Sequence, residues 1–406
     1  MDAILIIGYL FFYFSLYMSI VLILTFLHRK DDFFKKYKIK SLPSISIIIP
    51  AYNTEGTIGV TIKSLLKVNY PKPIDIVVVN DGSTDKTAQV LKKFHEKIRV
   101  ITNKKNMGKG YSLNRALSTI NSDLFVCLDA DSLVDSNCLL KMVGFFGDSK
   151  VGAVTAGLKV ARKNNILEKV QHVEYLLNLF WRKIMVFLDT LTVTPGVFSI
   201  YRTEVIKKIG GFDVKNLTED MEIALRLHTR GYKIENCPDA YVKTFCPKTF
   251  IDLYKQRVRW YRGVIRNSIK YKNMLFNPKF GNLGIYFLPV NLIVVAFAVL
   301  FFLYFVINGA YHVFKLFLDI FLINFDLTTL LNFEISIFSL DTKYLLVFLF
   351  LPFGLYLLKL SFDYSKEYIN NNIFASLFFL FIFPFYSLFF WTASVFYEIF
   401  GAEKKW

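Results

Sequence analysis

Hydrophobic and polar positions divide this chain into long uncharged runs and a middle section of short alternating ones. Residues 3–27 contain no Asp, Glu, Lys or Arg, and a run of that length spans a bilayer as a helix. A cleaved leader is the rival reading, but no basic start precedes the run and no small-residue cleavage site follows it. Residues 282–314 are free of the same four residue types, and 373–397 form another long apolar run. Residues 344–358 are short for a span, but the flanking Lys343 and Lys359 would snorkel at its ends. Lys315, Asp319 and Asp326 punctuate the stretch after 314, which suggests an amphipathic segment at the membrane interface. The pattern predicts about four transmembrane helices, one N-terminal and about three C-terminal.

From Ser44 the pattern changes. Apolar runs at 45–49, 74–79, 98–101 and 124–128 read as buried strands. Helical patterns at 57–68, 84–96 and 111–119 separate them. Such β-α-β alternation predicts an α/β domain with a mostly parallel, Rossmann-like sheet and helices on both faces. Ligands in such folds sit beyond the carboxyl ends of the strands. There the sequence places Ala51-Tyr52-Asn53, Asn80-Asp81-Gly82 and Asp129-Ala130-Asp131. Further on, 166–189 is amphipathic. An interface helix with Trp181 at headgroup depth and a packed core helix are equal readings of it.

Composition agrees with a membrane protein: hydrophobic residues make up 54% and Phe alone numbers 43. The net charge of +17 raises nucleic acid as a partner. No nucleic-acid-binding motif is present, however. Arg29, Lys30, Lys35, Lys36, Lys38 and Lys40 follow the first apolar run, and no basic residue precedes it. Positive charge beside a span marks its cytoplasmic side, so the middle of the chain is expected in the cytosol. Four spans would then put Lys404 and Lys405 outside, against that rule. Cys127, Cys138, Cys237 and Cys246 form no CxxC pair and read as reduced thiols.

Each polar cluster has a plain structural reading. Asp81 and Ser83 would make a turn and cap a helix. Glu219 and Asp220 would favour a helix N-terminus, at about 0.3–1 kcal/mol each. Asp129 and Asp131 resist such a reading, because alternate carboxylates leaving a buried strand repel one another unless a cation lies beside them. Oxygen ligands of this kind suit Mg²⁺ or Mn²⁺. Gly108-Lys109-Gly110 lacks the frame of a P-loop. Gln256, Arg259 and Trp260 fall at i, i+3 and i+4, on one helix face.

In order along 44–263, the motifs Pro50-Ala51-Tyr52-Asn53-Thr54-Glu55, Asn80-Asp81-Gly82-Ser83-Thr84-Asp85, Asn106-Met107-Gly108-Lys109-Gly110, Asp129-Ala130-Asp131, Thr218-Glu219-Asp220 and Gln256-Arg257-Val258-Arg259-Trp260 resemble those of the family 2 glycosyltransferases, which have the GT-A fold. A QxxRW after a TED is similar to the membrane-embedded synthases of cellulose, chitin, hyaluronan and poly-N-acetylglucosamine. A single N-terminal span departs from several of these.

The resemblance implies a role for each motif. Asp81 would meet the uracil or ribose of a UDP-sugar, with Ala51, Tyr52 and Glu55 beside it and Lys109 within reach of the nucleotide. Asp129 and Asp131 would hold Mg²⁺ or Mn²⁺ on the diphosphate, and Gln256, Arg257 and Arg259 would complete that pocket. Asp220 would be the general base, Trp260 would stack on the acceptor sugar, and Thr194 and Gly196 would line the acceptor site. Thr218 would cap the helix that opens at Glu219.

The expected activity is inverting transfer to a growing polysaccharide. The alternative is a single transfer to a membrane lipid or polyprenyl phosphate, and an accessory subunit stays open. The expected organisation is a membrane anchor at 1–30, a cytosolic catalytic domain at 41–245, an interfacial segment at 246–282 and a membrane bundle at 283–406, in the cell membrane. A transporter or scaffold would place its functional charges inside the spans, whereas here they cluster in the middle domain.

Overall fold

The computed structural model describes residues 3–322 and 342–401. A first helix, α1 (Ala3–Arg29), leads into a domain of eight strands. Its elements run β1 (Ile45–Ala51), α2 (Ile58–Leu65), β2 (Ile74–Asn80), α3 (Thr87–Lys92), β3 (Arg99–Thr102), α4 (Lys109–Leu117), β4 (Leu124–Cys127) and β5 (Ser132–Val134). They continue with α5 (Cys138–Val143), β6 (Val151–Val160), α6 (Ile166–Phe187), β7 (Ser199–Arg202), α7 (Thr203–Lys208), α8 (Glu219–Thr229), β8 (Lys233–Thr244) and α9 (Phe250–Lys270). The C-terminal part is helical: α10 (Leu288–Leu322), α11 (Thr342–Tyr364), α12 (Ile373–Phe381) and α13 (Phe383–Ile399).

The strand order is β3-β2-β1-β4-β7-β6-β8-β5. Pairs β1–β2, β1–β4, β2–β3 and β6–β8 are parallel, whereas β4–β7, β6–β7 and β5–β8 are antiparallel. The sheet is therefore mixed rather than purely doubly wound, and the reversal starts beside β4. Strands covered on both faces need apolar residues at every position. Accordingly β1 sends Ile45, Ile47 and Ile49 into one core cluster and Ile48 into the other. The helix expected at 84–96 is regular only over Thr87–Lys92; beyond it the chain tightens into i→i+3 bonds through His95.

Helix α6 resolves one open choice. Its apolar stripe (Val170, Val173, Leu176, Leu179, Phe180, Ile184) is buried between the sheet and α11, α12 and the first helix. It is a packing helix, started by a capping box between Asn165 and Glu168.

Among the described residues one helix, Leu283–Leu322, is long and apolar enough to cross a membrane. The pair Ile369–Phe381 and Phe383–Ile399 passes only when taken together, with a 45° bend. Pro384 stands in the first turn after that bend, where its missing N–H ends the preceding helix. The stretch after 314, expected as a separate amphipathic segment, begins inside the same helix: Lys315 and Asp319 lie within α10. Asp326, Lys404 and Lys405 lie outside the described residues.

Candidate active site

The loops after β1 and β2 are tied together before any ligand arrives. Asn53, at φ 51°, accepts from the Thr84 N–H at 2.9 Å, and its own N–H donates to Ser83 Oγ at 3.1 Å. Glu55 Oε2 accepts from the Lys86 N–H at 2.7 Å, so its carboxylate caps the approach to α3. Asp81 is 3% exposed. Its oxygens accept from Asn103 Nδ2 (2.6 Å), the Met107 N–H (3.0 Å) and the Gly108 N–H (2.8 Å). Asp81 thus fastens the 106–108 loop. That packing requires glycine at 82, where φ is +68° and a Cβ would sit 2.5 Å from the Lys105 carbonyl carbon. Ala51 is buried, while Tyr52 is exposed beyond the sheet edge.

Lys109 opens α4, and its ammonium lies 2.6 Å from Asp129 and 3.0 Å from Glu219. Burial opposes the charge, but Asp129 and Glu219 outweigh it and hold the lysine pKa well above its usual value. Gly196 makes room for this ammonium: a Cβ there would fall 2.1 Å from Lys109 Nζ and 3.2 Å from Asp129 Oδ1.

Asp131 lies deeper. Burial first, and Asp129 second, push its pKa up to about 6. Its Oδ1 accepts two long contacts, from the Ser132 and Thr244 hydroxyls, both at 3.4 Å. Two neighbouring carboxylates with spare acceptor capacity fit a divalent ion that brings its other ligands on phosphate and water. Among the described residues no group of three or more His, Cys, Asp or Glu comes together as a metal cage.

Asp220, in the first turn of α8, faces a cavity of about 340 Å³. Lys109, Asp129, Gly196 and Trp260 line the same cavity. Burial, then the charge of Glu219, raises the Asp220 pKa to about 6, with Lys109 and Arg259 pulling the other way. The backbone carbonyl of Asp220 accepts from both the N–H (3.2 Å) and Oγ1 (2.8 Å) of Thr194. Thr194 is fully buried and does not line the cavity. It positions Asp220 instead of facing an acceptor.

Helix α9 carries Gln256, Arg257, Arg259 and Trp260. Arg257 is 3% exposed and bonds Glu174 Oε2 of α6 at 2.7 Å, with its guanidinium 4.3 Å from the Trp260 ring centre. The side chain expected to reach a diphosphate is thus spent on α6, where it orients Trp260. Arg259 does act on Asp220 electrostatically. Gln256 Oε1 is buried without a hydrogen-bond partner among the described residues. Next to Trp260, Tyr261 stacks on Trp391 of α13 at 4.1 Å, and Arg262 and Arg266 both pair with Glu398. The helix that bears the motif is therefore bolted to α13.

Thr218 stands at the N-cap position of α8 but makes no capping bond. Its Oγ1 accepts from Asn267 Nδ2 at 3.0 Å, because α9 crosses here at close range. The crossing depends on Gly263, where a Cβ would meet Thr218 Cγ2 and Oγ1 at 2.3 Å. Gly263→Ala is expected to cost about 1–3 kcal/mol, the usual range for overpacking, read as a lower melting temperature. An unchanged melting temperature would show that the α8–α9 contact is softer than drawn.

Sequence reasoning missed the wall supplied by α6: Tyr175, Asn178, Trp181 and Arg182 all line the cavity. Asn178 and Arg182 lie one and two turns from Tyr175 in an amphipathic helix that also carries Glu174 and Lys183, so the sequence pattern did not single them out. Glu219, read as a motif residue that favours a helix N-terminus, also holds Lys109.

Comparison with known proteins bears on this geometry. Residues 43–263, more than half of the chain, match the family model "Glycosyltransferase like family 2". The poly-beta-1,6-N-acetyl-D-glucosamine synthase of Staphylococcus aureus (strain MSSA476) is 32% identical over 263 residues, covering 64% of this chain and 61% of that protein. The synthase of the same name from Staphylococcus epidermidis is 30% identical over 258 residues, covering 61% and 62%. The chain thus spans less than two thirds of the length of these relatives. Among solved structures, the mannosyltransferase PcManGT from Pyrobaculum calidifontis, in complex with GDP-Man and Mn²⁺, superposes with a TM-score of 0.56 at 18% identity, over 92% of this chain and 97% of that one. That likeness is one of fold. With the six motifs in order and the family model spanning all of them, the chain belongs to the glycosyltransferase-like family 2.

Proposed function

We propose that this protein transfers a sugar from a UDP-sugar to a hydroxyl of a growing polysaccharide, with N-acetylglucosamine as the first sugar to test, given the relatives' names. One observation carries the reading. A single cavity joins a buried carboxylate of raised pKa, Asp220, to the Asp129–Lys109 pair at one side and the Trp260 ring at another.

The chemistry follows from those positions. The acceptor sugar stacks on Trp260 and presents its hydroxyl to Asp220. Asp220 takes the proton as the oxygen attacks the anomeric carbon. The new bond forms on the face opposite the nucleotide, the bond to the UDP oxygen breaks, and the configuration inverts. Arg259 and Lys109 supply positive charge near the departing diphosphate. Asp129 and Asp131 are the residues that would hold Mg²⁺ or Mn²⁺, which neutralises charge on the leaving group when bound. Thr194 fixes Asp220 through its backbone carbonyl, and Glu174 with Arg257 fixes Trp260.

The setting we propose is a multi-pass cell-membrane protein. Its spans are α1, α10, α11 and the bent α12–α13 pair, with α9 at the membrane surface. The basic residues after α1 favour a cytosolic side for the eight-stranded domain, where nucleotide sugars are.

Trp260→Ala tests the acceptor role. The variant is expected to bind UDP like the wild type and to stop making long product, because base-free stacking area is lost while the nucleotide contacts remain. Product of full length from Trp260→Ala would remove Trp260 from the acceptor site. Wild-type product of one sugar on a lipid would favour the single-transfer alternative.

A further inference from the structure

Lys109 is bonded to two sides of the site at once. Its ammonium sits 2.6 Å from Asp129 Oδ1, two residues past the end of β4, and 3.0 Å from Glu219 Oε1. Glu219 is the first residue of α8 and Asp220 the second. Glu219 is 7% exposed, so its carboxylate has little water to turn to. The backbone beneath the lysine is fixed. Asp81 accepts from the Met107 and Gly108 N–H groups, at 3.0 and 2.8 Å, and Lys109 follows directly as the first residue of α4. The ammonium therefore moves by rotation of its own flexible stem. Gly196 leaves it room, since a Cβ there would fall 2.1 Å from Nζ.

Asp131 has no such partner. Among the described residues it makes no ion pair, and its Oδ1 accepts the two 3.4 Å hydroxyl contacts. The two carboxylates are thus half neutralised, by a side chain of the protein itself. A divalent ion entering between them meets the Lys109 charge at close range, and like charges this near repel strongly where water is scarce. The ion must displace the ammonium from Asp129. The displaced ammonium keeps Glu219 and needs a second anion. A nucleoside diphosphate brings that anion, together with further oxygen ligands for the ion.

We propose that Lys109 is a resident counter-ion that competes with the divalent ion for Asp129, so that the metal binds tightly only when a nucleoside diphosphate arrives to take the ammonium. The inference rests on reading Asp129 and Asp131 as the metal-holding pair. It adds that the nucleotide and its ion enter as a unit, while the bare ion is held off.

The test uses the full chain purified in nonionic detergent. Bound Mn²⁺ is read from loss of the free-ion signal in electron paramagnetic resonance, so no turnover is needed. The wild type should bind Mn²⁺ at least about fivefold more tightly with UDP than without, the low end of coupling between linked sites. Lys109→Met removes the charge and keeps a long side chain. Without UDP it should bind Mn²⁺ at least about fivefold more tightly than the wild type does, and UDP should then strengthen binding by a smaller factor. Adding Asp131→Asn to Lys109→Met should abolish the gain, which locates the ion. Arg259→Gln removes another cation of the site, one not paired with Asp129 among the described residues, and should change nucleotide-free binding much less. Unchanged or weaker nucleotide-free binding in Lys109→Met overturns the proposal and leaves the lysine a structural tie or a diphosphate contact. An equal gain in Arg259→Gln overturns it too, because any nearby positive charge would then serve. So does a wild type that binds Mn²⁺ equally well without UDP. Should Lys109→Met not fold, Lys109→Gln takes its place under the same criteria. In each of these failures, tight Mn²⁺ binding with UDP that is lost in Asp131→Asn keeps the metal reading. Mn²⁺ that fails to bind even with UDP removes the metal reading and this inference together.

Discussion

Asp220→Asn is expected to bind UDP like the wild type and to transfer sugar about 10²–10⁴-fold more slowly, the usual cost of losing a general base. The substitution keeps the shape of the side chain and removes only its charge and basicity. Thr194 bonds the backbone carbonyl of residue 220, so the loop has no reason to move. A purely structural role at the helix N-terminus would amount to less than about 1 kcal/mol and would leave turnover almost untouched.

The same carboxyl sets a pH dependence. Burial and Glu219 raise its pKa to about 6, and the base works only when ionised. The wild-type kcat/KM should therefore fall as the pH drops through about 6, and Asp131, also raised to about 6, adds to the same limb. Initial rates from pH 5 to 8 on both proteins check this. An Asp220→Asn protein that folds, binds UDP and keeps more than about a tenth of wild-type turnover would remove Asp220 as the base.

Asp131→Asn is expected to act on the other half of the site. Mn²⁺-dependent UDP affinity should drop by more than the about 10–100-fold typical of losing an outer-shell partner of a metal. Affinity measured without the metal should change little. Stability should move the opposite way from activity. The folded state raises the Asp131 pKa above its ordinary value, so the ionised form is disfavoured in the fold, and the penalty is in force above about pH 6. Removing the charge at pH 7.5 lifts that penalty, and the weak 3.4 Å hydroxyl contacts lose little. The variant should melt no lower than the wild type. Isothermal titration with and without Mn²⁺, together with a thermal melt, reads both quantities. A variant that melts well below the wild type with unchanged Mn²⁺ dependence would make Asp131 a structural residue.

How legible the molecule was from its sequence depended on the range of the interactions involved. β1, β2 and β4 were visible because strands covered on both faces are apolar at nearly every position, as in Ile45–Ala51. The polar residues at their ends were visible by contrast with those runs, although Asp81 serves to hold the 106–108 loop. Strands β5 to β8 were not read at all, although β6 (Val151–Val160) is buried along its whole length. Its Gly and Lys residues weakened the pattern, and its pairing with β8 spans some eighty residues of sequence.

Partner choice was the least legible property. Arg257 and Arg259 look alike in a motif, yet Glu174 captures the first and leaves the second beside Asp220. Thr194 and Gly196 are two residues apart, yet one is buried under Asp220 and the other leaves space for Lys109. Glu55 stands near the nucleotide motifs but caps the turn before α3. Each outcome depends on a residue far away in sequence, which helical or strand periodicity does not reveal. The α6 wall is a further case: Asn178 and Arg182 are two polar residues among several in an amphipathic helix, and only the cavity sets them apart.

Membranes containing the full chain, incubated with a panel of nucleotide sugars and Mn²⁺, test the central claim most directly. The account predicts that UDP-N-acetylglucosamine, or another UDP-sugar of the panel, is consumed, with one UDP released for each sugar incorporated into a lipase-resistant product. It predicts no such release from membranes carrying Asp220→Asn. Equal UDP release from the wild type and the variant, or no sugar incorporated from any donor of the panel, would contradict it.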